Sequence, residues 1–81
     1  MESIKNNNKI ILELSNEEAL VLLNWLFRFN ETDNTVFFED QAEERVLWDI
    51  EAALEKTMPE TFSDNYSELL LKARNKLRDK K

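Results

Sequence analysis

Carboxylates are the groups this chain offers for catalysis or metal binding. It has 17 Asp and Glu among 81 residues, and no His, Cys or Gly. Glu39, Asp40, Glu43 and Glu44 cluster together, with Glu39/Glu43 and Asp40/Glu44 at i,i+4 spacing on one helical face. With Glu17 and Glu18 facing them, such pairs could hold magnesium for phosphate chemistry. A simpler cause accounts for both clusters. Each falls where a helix should begin, and acids in a first turn complement the helix dipole. Residues 30–35 have enough side-chain oxygens to suggest calcium, but lack the Gly at position six and a Glu at twelve that such a loop needs. No zinc site, thiol nucleophile, Ser-His-Asp triad or phosphate-cradling Gly loop can be assembled from this composition. The sequence therefore reads as a non-enzyme with no cofactor and no metal.

Trp48 is the residue most suggestive of binding. Turning 100° per residue, it lies about 160° from Ile50 on a helix spanning roughly residues 40–57. Its helical neighbours are Glu44, Glu51 and Glu55. A tryptophan amid carboxylates on a solvated face reads as an interface anchor, with the acids selecting a basic protein partner. The competing reading folds the residue 30–38 loop or the N-terminal segment over Trp48, making it a satellite of the core. The two readings stay open at this point. Trp25 reads as core, as do Tyr66, Phe27, Phe37, Phe38 and Phe62.

The charge is unevenly distributed. Residues 1–68 hold 16 acids and 5 bases, a net of −11; residues 69–81 hold 6 bases and 1 acid, a net of +5; the whole chain carries −6. An acidic body disfavours nucleic acid, which is bound by Lys and Arg displacing counterions. The basic end (Lys72, Arg74, Lys76, Arg78, Lys80, Lys81) complements the dipole of a last helix. No run approaches the roughly 18 apolar residues of a membrane span. The absence of Cys fits a reducing compartment, so the chain reads as cytoplasmic, with no membrane or nucleic-acid partner.

These residues must be positioned by a mainly α fold, three helices preceded by one N-terminal strand. Residues 1–8 are polar and read as a flexible end, leaving residues 9–81 as a single small helical domain. Residues 9–14 alternate as a strand. That strand must pair, either with residues 35–38 or with the same strand of a second chain, and the homodimer is the preferred reading. Ser15 and Glu18 form a capping box that starts a first helix running to about Phe29 or Asn30, ended by an Asn- and Asp-rich loop. Asp40 and Glu43 look like a second box, starting a helix that Pro59 stops. The third helix runs from about Ser63 or Asp64 to about Arg78.

The apolar faces differ between helices. On the second, Ala42, Val46, Leu47, Ile50, Ala53, Leu54 and Met58 span about 160° and form the expected buried face. On the third, Phe62, Tyr66, Leu69, Leu70, Ala73 and Leu77 fall within about 100°. The first carries only a narrow polar stripe, Glu17, Asn24 and Arg28, against an apolar arc of about 260°. Two partner helices cannot cover that arc, which again suggests a second copy or another protein.

The run FEDQAEERVLWDIEAALE from Phe38 to Glu55, preceded by LELSNEE from Leu12 to Glu18, resembles short single-domain bacterial proteins. That group carries no residue roles to transfer. In size and charge the chain is also similar to bacterial immunity proteins, antitoxins and inhibitors. That likeness is one of class and implies an acidic inhibitor or immunity-type protein; the roles of Trp48 as anchor and of Glu44, Glu51 and Glu55 in steering a basic partner rest on their helical placement alone.

Overall fold

In the computed structural model, which describes residues 1–79, two strands precede three helices. β1 (Glu2–Asn6) and β2 (Lys9–Glu13) form an antiparallel hairpin. α1 (Asn16–Glu31), α2 (Gln41–Thr57) and α3 (Tyr66–Arg78) follow, separated by 3-10 turns at Thr35–Phe37 and Pro59–Phe62.

The hairpin corrects two expectations. Residues 2–6 are not a frayed end but the strand that pairs with β2, and residues 35–38 are not a strand. The connection is the two-residue turn Asn7-Asn8, with Asn7 at φ 58°. Asn enters this left-handed region at lower cost than other residues bearing a Cβ, so consecutive Asn residues here serve as a turn signal. The register sets Ile4 opposite Ile11, Lys5 opposite Ile10 and Glu2 opposite Glu13.

α1 starts as expected. Ser15 Oγ accepts from the Glu18 amide at 3.1 Å, and Glu18 Oε1 accepts from the Ser15 amide at 2.8 Å, completing the capping box. Its end is capped by the polar loop. The Phe29 carbonyl accepts from Asn34 Nδ2 at 2.8 Å and Thr32 Oγ1 at 3.0 Å, and Asn34 is buried. Asp40 caps α2 through the Ala42 amide at 2.8 Å. Glu43 does not complete a box with Asp40; it accepts from the Glu39 amide, one residue earlier. α3 begins at Tyr66, later than expected, because the chain after Pro59 forms a 3-10 turn before the helix.

The core lies between α1 and α3. Ala19, Leu20 and Leu23 pack with Leu70 and Ala73, and Met58 enters from the end of α2. Leu23 and Leu26 are fully buried. The polar stripe of α1 borders this seam. Asn24 Nδ2 donates to the Tyr66 hydroxyl at 3.0 Å, Asn24 Oδ1 accepts from Arg74 at 3.0 Å, and Lys76 pairs with Glu17 at 3.6 Å. Several residues expected in the core are outside it. Phe37 is 70% exposed and Phe62 80%. Phe62 lies in a 3-10 turn, whose period differs from that of the third helix on whose apolar face it is expected, and Phe37 lies in the 3-10 turn of the loop between α1 and α2, not in a strand. Trp25 is also exposed, stacked on Phe29 with ring centroids 4.7 Å apart.

Candidate functional site

α2 contains no fully buried residue. The residues it turns inward are Glu44, Leu47, Glu51 and Leu54, all half-buried. The expected inner residues Ala42, Val46, Ile50 and Ala53 are exposed. Relative to the expected face, the helix is rotated about its axis by roughly 80°, a little under one quarter turn. Two attachments hold it there, one at its C-terminal end and one on its inner edge. Met58 inserts into the α1–α3 core, and Asn30 near the end of α1 donates from Nδ2 to Glu51 Oε1. These two attachments set the rotation and turn the wide apolar stripe of α2 toward water.

Trp48 sits on the opposite edge of the inner face and is 48% exposed. Neither the N-terminal hairpin nor the residue 30–38 loop buries it. The sequence-derived cluster separates into two environments. Glu55 is exposed, about two turns further along the same face as Trp48. Glu44 and Glu51 are half-buried at the boundary with α1 and the preceding loop. The carboxylate of Glu51 is held by Asn30 and is structural as well as electrostatic. Asn30, whose Oδ1 is buried without a partner, was not legible as an organiser of this face, because the pairing spans 21 residues of sequence.

Two surface depressions border α2. One of about 310 Å³ lies over Phe38 and is rimmed by Glu39, Asp40 and Glu44. The other, of about 420 Å³, is lined by Phe29, Phe37, Phe38, Val46 and Leu47, with Glu43 at its edge. The acidic cluster does not converge for metal binding. Asp40 is committed to the Ala42 amide and Glu43 to the Glu39 amide, and no group of three carboxylates able to hold an ion occurs among the described residues.

The basic end of the chain is engaged within the fold. Lys72 pairs with Glu68, Lys76 with Glu17, Arg74 with Asn24 and Arg78 with Asn75; Lys80 and Lys81 lie outside the described residues. No helix among the described residues is long and apolar enough to cross a membrane. No protein-family model, curated protein or solved structure matches this chain.

Proposed function

We propose that the chain is a non-enzymatic interaction module, an acidic inhibitor or immunity-type protein that masks a basic surface on a partner protein. The observation that carries this reading is Trp48, half-exposed on the open face of a helix rich in carboxylates. A tryptophan in water yields large apolar area on binding at little ordering cost. Glu51 is already fixed by Asn30, so less side-chain freedom is lost on docking. Glu44 and Glu55 add negative potential that steers a cationic partner. Occlusion would suffice as the mechanism, with no chemistry on the partner.

Affinity capture from the source cells, followed by binding measurements with the captured protein, tests this reading. The expected partner is basic, and its binding weakens with salt. Trp48→Ala should weaken it by about 2 kcal/mol or more. Glu44→Lys should chiefly slow association and flatten its salt dependence. A partner held equally well by Trp48→Ala would overturn the reading. A homodimer is the second reading, and the uncovered hairpin favours it.

A further inference from the structure

We infer that β2 is a self-complementary edge on which a second copy of this chain docks, antiparallel and with Ile11 on the two-fold axis, giving the four-stranded sheet β1-β2-β2-β1. This inference rests on the homodimer reading and assigns its surface and register.

The first observation is that no further strand pairs with the hairpin among the described residues. Every residue of both strands is exposed, and the sheet has only two strands. Ile4 is 64% exposed and Ile10 66%. A two-stranded hairpin alone in water is marginal, and its free edges are templates for further pairing. The whole molecule shows the same surplus. Its accessible surface is 6637 Å², against about 5,100 Å² for a folded monomer of this mass. Its radius of gyration is 14.2 Å, against about 12 Å for a compact chain of this length. The excess area exceeds the roughly 800 Å² per partner that a stable interface buries.

The second observation is charge. β2 reads Lys9-Ile10-Ile11-Leu12-Glu13. Laid antiparallel on a copy of itself and centred on Ile11, it sets Ile10 against Leu12 and Lys9 against Glu13, twice. Opposite charges directly across a ladder are favourable, and like charges are not. Within one chain Glu13 faces Glu2, an unfavourable pair; the second copy brings a lysine to the other side of Glu13. β1 has no such complementarity, since self-pairing about Ile4 sets Glu2 against Asn6.

The third observation is backbone parity. A two-residue turn is closed by a hydrogen-bonded pair, here Asn6 and Lys9. Hydrogen-bonded and non-hydrogen-bonded pairs then alternate, so Lys9, Ile11 and Glu13 direct their backbone groups toward β1. Ile10 and Leu12 direct theirs outward. The register that pairs the charges also places Ile10 opposite Leu12 as a hydrogen-bonded pair. On one face of the resulting sheet, Ile4 and Ile11 of both copies form a continuous row of four isoleucines. The contact is isologous and closes at two chains, whereas β2 on β1 of the next chain would propagate.

The chain has no cysteine, so single-cysteine variants read the register directly. In this arrangement the two Ile11 Cα atoms form a non-hydrogen-bonded pair about 4.5 Å apart, within the disulfide range of about 4.4–6.8 Å. Ile11→Cys should cross-link into a covalent dimer under mild oxidation. Ile10→Cys and Leu12→Cys, whose counterparts are offset by roughly 7 Å along the strand, should cross-link far more slowly. By sedimentation, Lys9→Glu and Glu13→Lys should each weaken dimerisation about tenfold, and the double exchange should restore it. A dimer in which Ile11→Cys shows no preference, or in which the double exchange fails to restore binding, overturns the β2 register and leaves a dimer through another surface. A monomer at micromolar concentration overturns both.

Discussion

α1 and α2 are nearly equal in length, 16 and 17 residues, yet they occupy opposite positions in the fold. α1 buries Ala19, Leu20, Leu23 and Leu26; α2 buries none. The contrast is not one of apolar content alone, since α2 carries Val46, Leu47, Trp48, Ile50 and Leu54. It lies in what holds each helix. α1 packs against α3 and the end of α2 along one side, leaving Trp25 exposed, and its polar stripe finds Tyr66, Arg74 and Lys76. α2 is attached by Met58, Leu54, Leu47 and one side-chain hydrogen bond. A helix held at its end and along a narrow edge can leave apolar residues in water, and such residues are available for binding.

Truncation should expose this contrast most strongly. Leu23→Ala should destabilise the chain by about 2–5 kcal/mol, as buried leucine truncations do. Ile50→Ala on α2 should cost about 0.5 kcal/mol or less, the usual range for surface positions. Urea unfolding measures both. Comparable losses at the two positions would mean that α2 packs by the face its sequence suggests.

The N-terminus of α1 supplies a smaller effect. Ser15→Ala removes the cap and should cost about 0.5–2 kcal/mol. The hydrogen bond from the Ser15 amide to Glu18, aided by the N-terminal ammonium of Met1 at 3.5 Å, holds the Glu18 carboxyl below its ordinary value of 4.5. A carboxyl depressed in the folded state stabilises fully above its unfolded pKa, and this contribution is lost as pH falls through the folded value. The stability difference between the parent and Glu18→Gln should therefore be greatest near neutral pH and fade on acidification below 4.5. A difference that does not change with pH would show that the carboxylate is not the capping species.

Local signals in the sequence were accurate where local chemistry decides. The Ser15–Glu18 box, the Asp40 cap and the stop before Pro59 are all found in the structure. The mainly helical class follows from them. β1 was not legible because five residues with one apolar side chain, Ile4, show no alternation, and the signal lay in the Asn7-Asn8 turn. The rotation of α2 was not legible because periodicity identifies an apolar stripe but not which neighbour claims it. Met58 and Asn30 decide that, and their partners lie far along the chain. Trp48 is half-exposed, on the side of α2 where its helical position places it, while the neighbouring Glu51 is drawn inward by a contact no spacing encodes.

Trp48 on α2 faces solvent, as the proposed binding role requires. Replacing Trp25 by Phe leaves Trp48 as the only tryptophan, and its quenching by acrylamide then reports that face alone. The hairpin pairing proposed above leaves α2 uncovered, so monomer and dimer should behave alike. Red-shifted emission and strong quenching are expected, little changed by substitutions distant from Trp48 such as Ile11→Cys. Blue-shifted emission with weak quenching in the folded chain would contradict the binding role and make Trp48 part of the core.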